Sequence, residues 1–177
     1  MLALYIIYAF IGLILALLVI ALFLPDEYHI EQTIIIKRPV AIVLDRVANL
    51  AYYAKWNPWQ MKEGDSGSIT ISGNPKTVGH KYAWKGRKIG EGSLTLKDID
   101  ESSVDFHLEF VKPWKSLAYD SWLFEEWGND ETKVTWQNSG DLPYPFARLI
   151  GRSLVKTLNK QFKQGLENLK NLCEEAA

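Results

Sequence analysis

The chain opens with an unbroken apolar run. Leu2 to Leu24 is built almost wholly from Leu, Ile, Val, Ala, Phe and Tyr, and no charge occurs from Met1 to Leu24. At about 1.5 Å per helical residue, such a run crosses a hydrocarbon core of roughly 30 Å with some tilt. A cleaved signal peptide is the rival reading, but its apolar region is usually only ~7–15 residues, follows a basic segment and precedes a small-x-small cleavage site. Here no Lys or Arg precedes the run, and Phe23-Leu24-Pro25-Asp26 offers no such site. A core helix of a soluble protein is rarely apolar on every face. The expectation is a single-pass transmembrane anchor over residues 1–25, contacting the membrane through residues 2–24, and one domain over residues 26–177.

Beyond Pro25 the pattern becomes that of a folded domain. Tyr28 to Ile36 reads as a strand, ended by Lys37-Arg38-Pro39, and Pro39 suits the first turn of a helix because it has no N–H to lose there. Val40, Val43, Leu44 and Val47 recur at helical spacing within Val40 to Leu50. Ala51 to Trp56 is a second short helical piece, broken by Asn57-Pro58-Trp59. Strand-like runs follow over Ser68 to Ser72, Val78 to Lys85, Ile89 to Ile99, Ser103 to Phe110, Leu117 to Trp127 and Thr132 to Asn138. Between them stand turns such as Gly73-Asn74-Pro75, Gly86-Arg87, Lys112-Pro113-Trp114 and Gly128-Asn129-Asp130. Pro145 then opens a long amphipathic helix to Cys173, with Phe146, Ile150, Leu154, Leu158, Phe162, Leu166 and Leu169 at intervals of three and four. Six successive strands without crossover helices exclude a doubly wound parallel sheet. The fold class is α+β: an antiparallel meander whose apolar face covers, and is covered by, the terminal helix.

Composition narrows the function. With 20 Lys and Arg against 21 Asp and Glu, the formal net charge is −1, which argues against nucleic acid as a partner. Cys173 is the single cysteine, so neither an intrachain disulfide nor a cysteine-built metal site is possible. No cofactor is expected. Basic residues only on the C-terminal side of the apolar run, Lys37-Arg38 among them, favour a cytoplasmic domain.

The order of elements resembles the helix-grip fold of the START-like or SRPBCC superfamily, the fold of Bet v 1, and in particular its polyketide cyclase/dehydrase-like group. The carriers are Trp56-Asn57-Pro58-Trp59, Val78-Gly79, Tyr82-Ala83-Trp84-Lys85-Gly86, Gly90-Glu91-Gly92, Phe110 to Pro113, Val134-Thr135-Trp136, and Phe162 with Gly165-Leu166-Glu167-Asn168-Leu169-Lys170. The similarity runs from Tyr28 to Leu172. It implies a curved antiparallel sheet around the long helix, with a deep cavity between them for apolar or amphipathic small molecules. It implies no particular chemistry, since the superfamily mixes enzymes, carriers and sensors.

Strand alternation nominates the lining, because residues two apart share a face. His80, Tyr82 and Trp84 form one inward set, and Phe106, Leu108 and Phe110 another, against outward Asp105, His107 and Glu109. Trp122 with Phe124, and Trp136 beside Val134, continue the surface, with Trp56 and Trp59 near its entrance and Phe146, Leu149 and Ile150 at the helix start. Large aromatics with one polar edge suit amphipathic ligands, although the same rings could simply pack on each other.

Acid–base chemistry has thinner support. His80 shares a face with Tyr82 and Trp84, while His29 and His107 read outward. Adjacent Glu125 and Glu126 point to opposite faces of a strand and cannot form a close carboxylate pair. Gly90-Glu91-Gly92 lacks phosphate-loop spacing and reads as a bent or bulged strand. Arg148, Arg152, Lys156, Lys163 and Lys170 fall in about one quadrant of the terminal helix, a solubilising flank or a contact for anionic headgroups. The leading expectation is a membrane-held binding protein that sequesters, presents or senses an apolar or lipid-like ligand. The alternatives are a cyclase, dehydratase or hydrolase using His80, Tyr82 or Glu126, and a packed interaction module without ligand.

Overall fold

The structure is a computed structural model that describes residues 1–59, 67–112 and 115–175. Pro113 and Trp114 of the expected turn lie outside the described residues. Helix α1, Leu2–Leu22, carries the apolar run and has a mean hydropathy of 2.8. It is long and apolar enough to cross a membrane. Its residues face away from the rest of the protein except near its end, where Ala21 is buried.

Strand β1, Glu27–Ile36, leads into α2, Val40–Ala48, and the single turn α3, Tyr53–Trp56. The meander comprises β2 (Ser68–Ser72), β3 (Lys81–Gly86), β4 (Gly90–Ile99), β5 (Ser103–Lys112), β6 (Ser116–Glu126) and β7 (Thr132–Asp141), and helix α4 spans Phe146–Glu175. All pairings are antiparallel, and the strand order is β1-β7-β6-β5-β4-β3-β2. This is the expected helix-grip arrangement, a seven-stranded curved sheet with the long helix against it.

Most strand and helix ends fall within two residues of the pattern reading, and two strand ends differ by three, each for a tertiary reason. Val78 and Gly79 belong to a turn and not to β3, since Gly79 adopts φ +90° and the His80 N–H closes onto the Thr77 carbonyl. Strand β7 runs past Asn138 to Asp141 because Ser139, Gly140 and Asp141 pair with His29, Tyr28 and Glu27 of β1. The glycine pair of β4 sits at a register shift between Glu91 and Gly92, the bulge expected there. Gly92 has no room for a Cβ, which would strike the Trp84 indole and the Glu109 carbonyl.

Cross-strand register places the inward residues in rows. One runs Tyr82, Leu94, Leu108, Ala118, Gly140, Tyr28, and the next His80, Leu96, Phe106, Asp120, Asn138, Ile30. Helix α4 closes these rows with Phe162, Leu166 and Leu169. Its last carbonyls, at Cys173 and Glu174, accept from the Arg38 guanidinium at 3.0 and 2.8 Å, a cation placed where the helix dipole favours one. Midway, Gly165 lets the helix approach the sheet: a Cβ there would stand 2.9 Å from the Trp136 ring and 3.2 Å from Pro58.

Gly165→Ala is therefore expected to destabilise the protein by about 1–2 kcal/mol. The overpacking penalty of about 1–3 kcal/mol exceeds the ~1 kcal/mol that alanine gains in a helix. Urea denaturation followed by tryptophan fluorescence measures it, and a variant more stable than the parent would contradict the packing described.

Candidate functional site

The interior between sheet and α4 is a continuous chain of aromatic rings. Trp122 and Trp136, directly paired across β6 and β7, stack with centroids 4.4 Å apart, and Phe162 stacks on the other side of Trp136 at 3.9 Å. Trp56 meets Trp122 and Trp136 edge-on at 5.5 and 5.7 Å, and Trp59 does the same to Trp136 and Phe162 at 6.2 and 6.0 Å. The chain continues from Trp56 through Tyr53, Tyr82 and Trp84 to Phe110. Such edge-to-face and offset pairs contribute roughly 0.5–1.5 kcal/mol each beyond burial.

The Trp-Asn-Pro-Trp segment is held by its polar atoms. Trp56 Nε1 donates to the Arg46 carbonyl at 3.2 Å, and Trp59 Nε1 to Gln161 Oε1 at 2.9 Å. Asn168 on α4 donates to the Trp56 carbonyl at 3.0 Å. The segment thus bridges α3 and α4, and aims Trp56 into the sheet.

At the centre lies a carboxylate that sequence reasoning did not single out. Asp120 is 3 % exposed; its Oδ1 accepts from Trp136 Nε1 at 2.8 Å and Asn138 Nδ2 at 3.0 Å, and its Oδ2 from Trp122 Nε1 at 2.9 Å. Tyr28 donates to Asn138 Oδ1 at 2.9 Å, extending the network to β1. Burial pushes the Asp120 carboxyl up to about 6, against the pull of the three N–H donors, with Asp105 adding to the rise. The available signal was the inward alternation Ala118, Asp120, Trp122, Phe124, in which an acidic residue is out of place unless partnered.

Beside this network stands Tyr53. Burial, Asp120 and Tyr82 hold its hydroxyl neutral, well above the usual tyrosine range. Its hydroxyl has no hydrogen-bond partner among the described residues. Leaving a buried hydroxyl unsatisfied costs about 1–3 kcal/mol. The neighbouring Tyr82 hydroxyl, pushed up to about 12 chiefly by burial, is bonded to the Asn57 side chain.

The predicted lining residues divide into three groups. Trp56, His80, Tyr82, Phe106, Trp122, Phe124 and Trp136 are buried, whereas Trp59, Trp84, Leu108, Phe110 and Leu149 are half-buried. Phe146 and Ile150 are exposed, on the side of α4 opposite Phe162 and Leu166, so they are not brought to the interior. The ring density is greatest around Trp136. Toward Trp84, Leu108 and Phe110 the inward face is less covered. Two shallow surface hollows of about 430 and 400 Å³ lie elsewhere, the first bordered by Glu126 and Pro39, the second by Trp127 and Lys170.

The acid–base candidates are dispersed. His80 is buried with both ring nitrogens engaged by backbone: Nε2 accepts from the Leu50 N–H, and Nδ1 donates to the Ser72 carbonyl, each at 3.1 Å. This fixes a neutral tautomer that ties the α2–α3 junction to β2 and β3. Glu125 is exposed and paired with Lys133 at 2.8 Å, and Glu126 is exposed at the rim of a hollow. His107 lies on the outer face, edge-on to Tyr119. Among the described residues no three His, Cys, Asp or Glu side chains converge as a metal site.

Residues 27–174 match the family described as polyketide cyclase / dehydrase and lipid transport. The chain belongs to this family. The polyketide cyclase/dehydrase fold recurs in solved structures of low identity. A protein from Thermus thermophilus superposes with TM-score 0.63 at 17 % identity, over 85 % of this chain and 99 % of its own. One from Mesorhizobium loti gives 0.62 at 10 %, with the same coverage. The Zhui aromatase/cyclase of a Streptomyces species gives 0.59 at 14 %, over 84 % of this chain and 94 % of its own. No curated protein sequence matches the chain. Family membership and the aromatic-rich interior together suggest ligand binding.

Asp120 makes stability depend on pH with an unusual sign. Its folded value, about 6, lies above the unfolded one near 3.8, so the folded state holds the proton more tightly between these limits. The contribution is fully present below about pH 4 and is lost as pH rises through 6, by up to about 3 kcal/mol at about 1.4 kcal/mol per unit. The stability difference between the parent and Asp120→Asn, from urea titrations at pH 4, 5, 6 and 7, should fall by that amount; a constant difference would contradict the assignment.

Proposed function

We propose that residues 26–177 form a small-molecule binding domain, held at a bilayer by the anchor at residues 1–25, that takes an apolar or amphipathic ligand against its aromatic inner face. The observation that carries this reading is the hydroxyl of buried Tyr53, which has no hydrogen-bond partner among the described residues and is set in a wall of rings. A wall of that kind suits the apolar body of a ligand, and a solitary hydroxyl beside it suits one polar group. The half-buried Trp84, Leu108 and Phe110 supply the least covered part of the wall, and Trp59, also half-buried, packs against Trp136 and Phe162 at its other end. The family description, which includes lipid transport, supports a lipid-like ligand.

The tethering part of the reading rests on α1, which is long and apolar enough to span and is not buried in the fold. Basic residues lie only on its C-terminal side, which favours a cytoplasmic domain. A second reading, the packed interaction module, is favoured by the close stacking around Trp136. An enzyme using His80 is disfavoured by the backbone bonds to both of its ring nitrogens.

Native mass spectrometry of gently purified full-length protein should find a small apolar molecule travelling with it. An apolar fluorescent ligand with one polar group should quench tryptophan emission. Tyr53→Phe should weaken that ligand by about 3–10-fold, the loss of one hydrogen bond of roughly 0.5–1.5 kcal/mol, and should leave the empty protein at least as stable. Leu108→Trp should also weaken binding, at about 1–3 kcal/mol of stability from overpacking, read from a melting curve. Failure of a broad apolar panel to bind, with nothing co-purifying, would replace this reading by the packed module.

The anchor has its own test. Carbonate extraction should leave the intact chain in the membrane pellet, and recovery of a soluble form beginning near Pro25 would overturn tethering.

A further inference from the structure

The outer surface at the start of α4 has the wrong chemistry for water. Phe146 is 61 % exposed and Ile150 39 %, and both lie on the side of the helix facing away from the sheet. Farther along that same outer side the exposed residues are polar: Ser153, Thr157 and Gln164. The apolar character is therefore confined to the end of the helix that packs against α1.

A hydrogen bond sets the depth of this end. Tyr144, just before α4, donates its hydroxyl to the Leu18 carbonyl of α1 at 3.2 Å. Leu18 stands about one helical turn before Leu22, the last residue of α1, so the Tyr144 hydroxyl reaches about 6 Å below the end of the helix. If α1 spans a bilayer, its 21 residues fill a core of roughly 30 Å, so the Tyr144 hydroxyl dips a few ångströms below the boundary between headgroups and acyl chains while the rest of the side chain stays near it, the zone in which tyrosine is favoured.

Charge agrees with this placement. Helix α4 has no acidic residue before Glu167, while Arg148, Arg152, Lys156, Lys160 and Lys163 precede it. Arg148 is engaged by Asp26 at 3.7 Å and by the Leu142 carbonyl at 3.3 Å, with its guanidinium 5.9 Å from the Tyr144 ring centroid. Arg152 is exposed on the next turn.

We propose that Tyr144, Phe146 and Ile150 form a second membrane contact, with Arg152 on the adjoining flank of α4 about 120° round the helix from Phe146, and that this contact docks the domain onto the surface of the bilayer that α1 crosses and prefers anionic phospholipid. Interfacial helices of this kind insert apolar side chains about 5–10 Å while basic residues meet headgroup phosphates. The contact would hold the start of α4 at the lipid surface and so restrict the domain's swing about Pro25. It rests on the tethered reading of α1.

The test uses the full-length protein in phosphatidylcholine nanodiscs with and without phosphatidylserine. Spin labels are placed one at a time by Gly12→Cys, Phe146→Cys, Ile150→Cys, Thr157→Cys and Gln164→Cys. Cys173, 1 % exposed, stays unlabelled. Labels at 12, 146 and 150 should collide with dissolved oxygen and be shielded from a water-soluble nickel complex, whereas labels at 157 and 164 should show the reverse. Phosphatidylserine should deepen 146 and 150, and Arg152→Glu should abolish that gain; an effect of neither would overturn the preference for anionic lipid. Labels at 146 and 150 as open to nickel as 157, with 12 still shielded, would overturn the docking and leave the tether intact. Nickel access at 12 would overturn the tether itself. Shielding of 146 and 150 from both reagents would mean a second copy of the chain, and not lipid, covers the surface.

Discussion

Inside a sheet-and-helix sandwich, an ionisable carboxyl group survives only if its oxygens are occupied, and the organisation of this domain follows from how Asp120 meets that condition. Its two oxygens accept from two indoles and one amide drawn from adjacent strands. Because Asp120 faces Asn138 and Trp122 faces Trp136 in the ladder, one hydrogen-bonded square fixes the register of β6 against β7 and the rotation of both indoles. With the rings so oriented, Phe162 can lie flat on Trp136 and Trp56 can meet the pair edge-on. Moving the carboxylate would leave three buried donors without an acceptor, each costing about 1–3 kcal/mol.

The terminal helix depends on that orientation. Gly165 permits contact with the fixed Trp136 ring, Asn168 reaches the Trp56 carbonyl, and Arg38 from the end of β1 closes the helix C-terminus. Three points along one helix are thus tied to three distant parts of the sequence. His80 performs a similar service on the other side, joining Leu50 to Ser72 through its two nitrogens. Histidine suits this task because its neutral ring is donor and acceptor at once. What resembles a catalytic candidate in the sequence is used here as a brace.

The same framework grades the interior. Rings near Trp136 are stacked and met edge-on by several others, whereas those toward Phe110 have fewer ring partners among the described residues, and Tyr53 lies between with a hydroxyl that the surrounding rings cannot satisfy. In the proposed reading the densely stacked half holds the shape of the wall and the half-buried rings at the other end meet the ligand.

Local pattern alone determined the apolar helix, the order of elements, the inward alternation through Trp84, Phe106, Trp122 and Trp136, and the bulge at Gly92. These follow from periodicity and backbone geometry, properties of neighbouring residues. Family resemblance, carried by the Trp-Asn-Pro-Trp segment and the last helix, completed the fold. Tertiary structure decided what those residues do. Asp120 reads as one acidic residue among many until β7 brings Trp136 and Asn138 beside it, and Phe146 and Ile150 share the helical spacing of Leu166 yet face outward at the end of α4 next to α1. Side-chain partners across more than a hundred residues depend on how strands pair and where the helix crosses them. A linear sequence encodes that only through the sum of all its contacts.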